Sequence, residues 1–246
     1  MIQKVFITGI TGMVGSHLLD YLLVNTDWEI HGLIRWRSPL ANISHHIDKI
    51  NKSEKVFLHY GDIRDYSSLE KIFKQQNFNY VFHLAAQSYP KTSFDAPVDT
   101  YQTNVIGTEN VLKACLNFCP NATIHNCSSS EVFGRVPKEF VPIKEETPFH
   151  PASPYAISKC SADLIGRFYA EAYGLKILTT RMFTHTGPRR GDVFMESTFA
   201  KQIALIERDL LPPIVKTGNL HSIRTIADVR DAVNAYFMLV TSDTIP

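Results

Sequence analysis

The chain has 246 residues, of which 44% are hydrophobic and 20% charged, with 25 Lys+Arg against 24 Asp+Glu. That length suffices for a sizeable core, and those proportions exclude a disordered chain or a coiled coil. A net charge of +1 gives no general field toward nucleic acid or an anionic membrane, so neither is an expected partner and any anion has to be held by a local site.

The N-terminus runs straight into an apolar strand at 5–7, without the basic region, apolar core and cleavage site of a secretory leader. Next comes Thr8-Gly9-Ile10-Thr11-Gly12-Met13-Val14-Gly15, a G-x-x-G-x-x-G run leading into a helix over 13–25. In that setting Gly9 makes the sharp turn, Gly12 lets backbone approach a pyrophosphate, and Gly15 brings helix and strand together, while the helix N-terminus offers N–H groups to phosphate. The missing Gly-Lys-Ser/Thr excludes a P-loop. A second strand at 30–34 is followed by Arg35 and Arg37 instead of the acidic residue that accepts a ribose hydroxyl, which favours NADP over NAD as cofactor. His45-His46 reads as a solvated loop pair, and no metal site is expected.

A third strand at 56–60 leads to Asp62-Ile63, placed to hydrogen-bond and flank an adenine, and then to a helix over 67–76 whose Leu69, Ile72 and Phe73 share a face behind Ser67 as N-cap. The fourth strand, 80–84, gives way to Leu84-Ala85-Ala86, small residues suited to backbone running beside a cofactor. A helix over 97–117 precedes the fifth strand, 122–127, which ends on Cys127-Ser128-Ser129-Ser130-Glu131, hydroxyls and a carboxylate where a doubly wound sheet places chemistry. The helix over 154–173 opens with Tyr155-Ala156-Ile157-Ser158-Lys159. This spacing puts phenol and ammonium on one face, where the cation lowers the phenol's pKa for proton exchange with a substrate hydroxyl. After a sixth strand at 177–182 the pattern changes to a Gly187-Pro188 turn, a helix over 199–207, a break at Leu211-Pro212-Pro213 and a last helix over 229–240.

Short buried strands alternating with helices predict an α/β fold, a Rossmann-type doubly wound parallel sheet. Residues 1–182 are expected to form the dinucleotide-binding domain carrying the catalytic residues, and 183–246 a small, incomplete C-terminal substrate lobe. Cys115, Cys119, Cys127 and Cys160 form no C-x-x-C pair and are expected to be buried free thiols. No apolar run approaches the ~20 residues that span a bilayer, so a soluble cytoplasmic protein is expected, and the Asn-x-Ser/Thr triplets at Asn51, Asn121 and Asn126 read as chance matches.

Taken jointly, Gly9-Ile10-Thr11-Gly12-Met13-Val14-Gly15, His83-Leu84-Ala85-Ala86-Gln87-Ser88, Asn104-Val105-Ile106-Gly107-Thr108, Ser128-Ser129-Ser130-Glu131-Val132-Phe133-Gly134 and Tyr155-Ala156-Ile157-Ser158-Lys159 resemble the extended short-chain dehydrogenase/reductase family of nucleotide-sugar enzymes, over nearly the whole chain. Arg35-Trp36-Arg37-Ser38, Leu84-Ala85-Ala86-Gln87-Ser88, Ser93-Phe94-Asp95 and Gly187-Pro188-Arg189-Arg190-Gly191 are most similar to its GDP-mannose 4,6-dehydratase branch, which uses NADP. The resemblance implies oxidation of a nucleotide sugar at C4, water loss across C5–C6 and hydride return to C6. Ser129 would polarise O4, Tyr155 act as base there, Lys159 hold the nicotinamide ribose, and Glu131 remove the C5 proton and expel the C6 hydroxyl.

The implied cofactor contacts are Gly9, Thr11, Gly12, Met13, Val14, Gly15, Arg35, Asp62, Ile63, Leu84, Ala85, Ala86, Ser88, Cys127, Tyr155, Lys159, His185 and Arg190, and the substrate contacts Gln87, Ser129, Thr184 and Arg224. Arg224 matches the clamp on the substrate diphosphate; its alternative is an ion pair with Asp228 or Asp231. Two residues depart from the branch's pattern: Asn104 stands where aspartate is usual, and Thr184 replaces an asparagine. A nucleotide-sugar 4-reductase, epimerase or decarboxylase stays open, because Ser-Ser-Glu occurs in those enzymes too, as does a dinucleotide-sensing regulator on the same fold. The family also implies a homodimer or homotetramer through helices 97–117 and 154–173, with Phe168, Tyr169 and Ala172 as apolar contact surface. Relatives continue well past the position of Pro246, so the end at Asp243-Thr244-Ile245-Pro246 is expected to be a truncation or a shortened lobe.

Overall fold

The computed structural model describes residues 2–52, 55–221 and 223–242; Ser222 and the C-terminal run Asp243, Thr244, Ile245 and Pro246 lie outside the described residues. Six strands, β1 (Lys4–Thr8), β2 (Glu29–Ile34), β3 (Val56–Tyr60), β4 (Tyr80–His83), β5 (Thr123–Cys127) and β6 (Lys176–Thr180), form a parallel sheet in the order β3-β2-β1-β4-β5-β6. Ile7 of β1 lies opposite Gly32 in β2 and Phe82 in β4, so β1 is central and the strand order reverses beside it. Strands covered on both faces need apolar residues at successive positions, which is what Val5, Phe6 and Ile7 supply.

One face of the sheet is covered by α1 (Met13–Asn25), whose Leu18, Leu19 and Leu22 pack with Val5, Ile7 and Ile30. The other carries α3 (Tyr66–Gln75), α6 (Gly107–Phe118) and α7 (Pro154–Tyr173), whose Leu69, Phe73, Val111, Leu112 and Tyr169 pack with Phe6, Val81 and Ile124. Each such side chain, taken fully from water, stabilises the fold by about 1.5–3 kcal/mol before entropy. Shorter helices link these elements: α2 (Ile47–Lys52), α4 (Pro90–Asp95) and α5 (Pro97–Tyr101). Beyond the sheet lie β7 (Thr184–Thr186), α8 (Met195–Ile206) and β8 (Ile226–Asp228), with β7 and β8 paired in parallel, and then α9 (Val229–Thr241). No helix among the described residues is long and apolar enough to cross a membrane.

The structure revises several local expectations. Asp65, not Ser67, caps α3, and its carboxylate accepts from the Ser67 amide at 3.0 Å and the Ser67 hydroxyl at 2.7 Å. The helix expected over 97–117 is interrupted by a π turn at Gln102–Ile106, where Thr108 Oγ1 donates to the Asn104 carbonyl at 2.6 Å. β4 stops at His83 because the Leu84 and Ala85 amides donate to Thr8 Oγ1, each at 3.1 Å, instead of extending the strand. Tyr169 is turned into the core and donates to Glu109 at 2.7 Å, leaving Phe168 and Ala172 on the surface of α7. Cys127 is half-buried, whereas the other three thiols are buried. The last helix, α9, contacts β7 and β8 and also packs beside α1 and against β5, so Val229, Val233, Tyr236 and Val240 join the core of the large sheet.

Candidate active site

The residues singled out by sequence converge at the carboxyl ends of β1, β4 and β5, the crevice where the strand order reverses. Gly9 has φ +74°, and a Cβ there would lie 2.9 Å from the Ala85 nitrogen; a Cβ on Gly15 would lie 2.3 Å from the Gly9 carbonyl oxygen. Glycine at both positions draws the start of α1 tightly against the first turn. No side chain caps α1, Gly12 is its N-cap, and no acidic residue stands in its first turn. Its first N–H groups and positive dipole end, across Thr11, Gly12, Met13 and Val14, therefore fit the pyrophosphate of a dinucleotide.

Along the β2–β3 edge, Arg35 is exposed, in a turn closed by its amide on Ser38 Oγ at 2.9 Å. Asp62 and Ile63 are engaged within the protein itself. Arg64 holds the Asp62 carboxyl below the usual carboxylate range through a 2.8 Å hydrogen bond, with Arg35 adding to the pull, and Ile63 is buried in the core. At the end of β4, Leu84, Ala85 and Ala86 are half-buried and Ser88 exposed. The Gln87 side chain is occupied, donating to Thr100 Oγ1 at 3.1 Å and accepting from the Tyr89 amide at 2.6 Å.

After β5, Ser129 caps a 3-10 turn (Ser130–Val132) and its hydroxyl accepts from the Glu131 amide at 3.2 Å. Tyr155 enters from the first turn of α7, a helix started by Pro154 and capped by Ser153, whose Oγ accepts from the Ala156 amide at 3.0 Å. Burial pushes the Tyr155 phenol well up; the Ser129 hydroxyl hydrogen-bonded to it and the Arg190 guanidinium pull it back, while Cys127 and Glu131 add to the rise. Lys159, one turn on, is buried and donates Nζ to the Cys127 carbonyl. Burial lowers its pKa, opposed by Cys127 and Asp163. The Lys159 ammonium is thus anchored at the end of β5, and Arg190 is a second cation whose charge favours the phenolate, after the Ser129 hydroxyl.

Thr184 and His185 lie half-buried on β7. Burial lowers the His185 pKa, Arg190 adds to the fall and the Phe183 carbonyl opposes it. Arg190 donates to the His185 carbonyl at 2.6 Å, and its guanidinium stacks 4.0 Å from the Phe194 ring centroid. Arg224 pairs with neither expected aspartate, since Asp228 takes Arg230 at 2.5 Å. It faces Glu131 at 4.0 Å, with side chains 60% and 42% exposed, so both remain accessible to a substrate.

His45 is exposed, as expected of a solvated residue, whereas His46 is half-buried. Both rings contact Asp20 Oδ1, at 2.9 and 2.6 Å, while Arg189 sits on Oδ2 at 2.7 Å. The two rings and the carboxylate bring three ligand-type atoms within 4.8 Å, and the guanidinium already balances the carboxylate's charge.

A buried network beneath the crevice escaped the sequence. Thr8 Oγ1 accepts from two amides, so its hydrogen goes to His83 Nδ1 at 2.9 Å, and His83 Nε2 then donates to Thr108 Oγ1 at 3.0 Å. Asn104 accepts from the Gln87 amide at 2.8 Å and donates to the Gln87 carbonyl at 3.0 Å and to Ser158 Oγ at 2.8 Å. Ser158 in turn donates to the Tyr155 carbonyl at 2.6 Å. The end of β4 is thereby tied to the turn that carries Tyr155.

A sequence model of the family described as GDP-mannose 4,6 dehydratase matches residues 6–245. The chain belongs to this family. It is 36% identical over 245 residues to GDP-mannose 4,6 dehydratase of Drosophila melanogaster, covering 97% of this chain and 61% of that one. The first such relatives are longer, and this chain spans 61%, 65% and 64% of their lengths. Among solved structures, RMD from Pseudomonas aeruginosa complexed with NADPH is 30% identical with a TM-score of 0.81, over 97% of this chain and 74% of that one. UDP-glucose 4-epimerase from Thermus thermophilus in complex with NAD is 26% identical with a TM-score of 0.82, over 98% and 75%. This chain therefore shares the Rossmann-type sheet with these solved structures.

Proposed function

We propose that this chain carries the catalytic apparatus of a nucleotide-sugar 4,6-dehydratase, with GDP-mannose as the favoured substrate. The observation that carries the reading is the meeting of Ser129, Glu131, Tyr155 and Lys159 at the end of β5, beside an uncapped helix N-terminus built for a pyrophosphate. Residues 1–182, with α9 packed beneath them, hold the dinucleotide, and the remainder of 183–246 forms part of the sugar-nucleotide side. Gly9, Gly12, Gly15, Arg35 and the Leu84–Ala86 backbone would line the cofactor. NADP is preferred because exposed Arg35 stands where a carboxylate would repel a 2′-phosphate. When bound, a nicotinamide dinucleotide supplies hydride acceptance at C4 and hydride return at C6.

The protein's own part is proton handling. Tyr155 Oη takes the proton from O4 while Ser129 Oγ holds that oxygen in place. Ketone formation at C4 acidifies C5, and the Glu131 carboxylate removes the C5 proton and delivers it to the departing C6 oxygen, which leaves as water; solvent supplies the proton that C5 takes up when hydride returns to C6. Arg224, opposite Glu131, is free to turn to the substrate diphosphate. Self-association through α7 also fits, with Leu164, Phe168 and Tyr173 exposed there at 51%, 53% and 51%.

The test is incubation with a panel of nucleotide sugars and NADP⁺, with mass spectrometry of products. Loss of water from GDP-mannose is expected, and Glu131→Gln should oxidise C4 yet neither lose water nor exchange C5 hydrogen with solvent deuterium. Loss of carbon dioxide, gain of two hydrogens, or unimpaired turnover of Glu131→Gln would overturn the dehydratase reading in favour of a decarboxylase, reductase or epimerase.

A further inference from the structure

Arg189 has φ +68°, in the left-handed region; the one other non-glycine residue there among the described residues is Asp209. Such a backbone state for a side chain with a Cβ is strained and persists where surrounding contacts impose it. Here the contacts are specific. Arg189 Nη1 lies 2.7 Å from Asp20 Oδ2, and the two side chains are 23% and 30% exposed. Asn42 Nδ2 donates to the Arg189 carbonyl at 3.3 Å and to the Thr11 carbonyl at 3.0 Å, so one amide spans this turn and the glycine turn. His17 Nε2 contacts the Pro188 carbonyl at 3.2 Å. Burial alone would raise the Asp20 carboxyl, but His45, His46 and Arg189 hold it below its ordinary value, so it stays ionised.

The next residue goes the other way. Arg190 is 16% exposed, donates to the His185 carbonyl, lies 3.5 Å from Glu196 and stacks on Phe194, and its charge is felt at Tyr155. Adjacent arginines are thus split, one to the outer cluster on α1 and one to the active-site wall.

We propose that Asp20, supported by Asn42, is a positioning residue: it clamps Arg189 in the left-handed turn and thereby holds Arg190 on the His185 carbonyl and the Phe194 ring, in the wall of the active site. The assignment of Tyr155 as base rests on the proposed function. The clamp itself is a geometric statement about this chain and is tested without turnover.

The experiment uses the full chain and its variants Asp20→Asn, Asp20→Asn/Arg189→Gly and Asn42→Ala. Arginines are labelled with phenylglyoxal and quantified residue by residue by tandem mass spectrometry. Labelling of Arg190 should rise about fivefold in Asp20→Asn and in Asn42→Ala. It should return to the parent rate in the double variant, because glycine adopts positive φ without a clamp. On active protein, the kinetic pKa assigned to Tyr155 should move up in Asp20→Asn and return in the double variant. Parent-like labelling of Arg190 in both single variants would overturn the clamp. So would raised labelling that Arg189→Gly does not rescue, which marks a general loosening of the fold. If Asp20→Asn fails to fold, Asn42→Ala and Asn42→Ala/Arg189→Gly decide the same question. Absence of turnover on every nucleotide sugar would remove the dehydratase reading and leave the labelling result standing.

Discussion

Replacing Asn104 by aspartate, the residue that the family resemblance implies at this position, should destabilise this chain. Asn104 is 2% exposed, and both of its donated bonds, to the Gln87 carbonyl and Ser158 Oγ, come from Nδ2, which aspartate lacks. A carboxylate would keep the bond from the Gln87 amide but set an oxygen against the Gln87 carbonyl. Leaving a buried acceptor unpaired costs about 1–3 kcal/mol, and the buried charge adds to this. Ser158 can turn its hydrogen to the new carboxylate only by releasing the Tyr155 carbonyl. A loss of about 2–4 kcal/mol at pH 7.5 is expected, a drop in Tm of roughly 5–15 °C for a domain of this size. Burial raises the folded-state pKa of the introduced carboxyl, so the penalty is smallest below its unfolded value of about 3.9 and grows as pH rises through the folded value. Urea unfolding at pH 7.5 and 5.5, with unchanged m-values, measures it. Adding Ser158→Ala removes one stranded partner, so the double variant should lose less than the sum of the two single losses. A penalty under about 1 kcal/mol at pH 7.5, or one that does not depend on pH, would refute this account.

Acid should weaken the fold through its buried histidines. Burial pushes His31 down to about 4 and His83 and His125 each down to about 3. Their stabilising contribution is present above the unfolded value of about 6.5 and is lost as pH falls toward the folded values, with a slope of up to ~1.4 kcal/mol per pH unit for each ring. Unfolding free energies between pH 6.5 and 4.5 should fall steeply; a flat profile would mean that the rings are not buried neutral. For cofactor choice, Arg35→Ala should weaken NADP(H) binding about tenfold and leave NAD(H) unchanged, because a charge-assisted phosphate bond contributes ~1.5–3 kcal/mol. Calorimetric titration of both cofactors checks this, and equal losses for the two would remove Arg35 from the selectivity.

What could be read from sequence is what local spacing determines. The glycine run, the Tyr155–Lys159 turn and the alternation of apolar strands with helices each depend on neighbours within one element, and the sheet order follows from right-handed crossovers between such units. The π turn at Gln102–Ile106 could not be read, since it exists because Asn104 reaches a backbone 17 residues away. The layer chosen by α9 was also hidden: its apolar side announces a helix but not that it packs beside α1 with Tyr236 against His125 of β5. The shared contact of His45 and His46 with Asp20 was hidden because that aspartate, 25 and 26 positions earlier, carries no signal of its own.

The same distinction separates the Asn104 departure from the chemistry. Asn104 bonds the Gln87 backbone and the Ser158 hydroxyl beside the turn bearing Tyr155, so its difference is one of packing. The electrostatics of that tyrosine set a further requirement. Burial drives Tyr155 and Lys159 both toward their neutral forms, up for the phenol and down for the ammonium. A phenol in that setting works as a base only where positive charge is brought to it. On this chain Arg190, carried on a strained turn that is remote in sequence and held by Asp20 of α1, adds such charge beside Lys159. If the proposed clamp holds, substitutions at Asp20 on α1 should be felt first in the set of Arg190 and through it at the proton transfer.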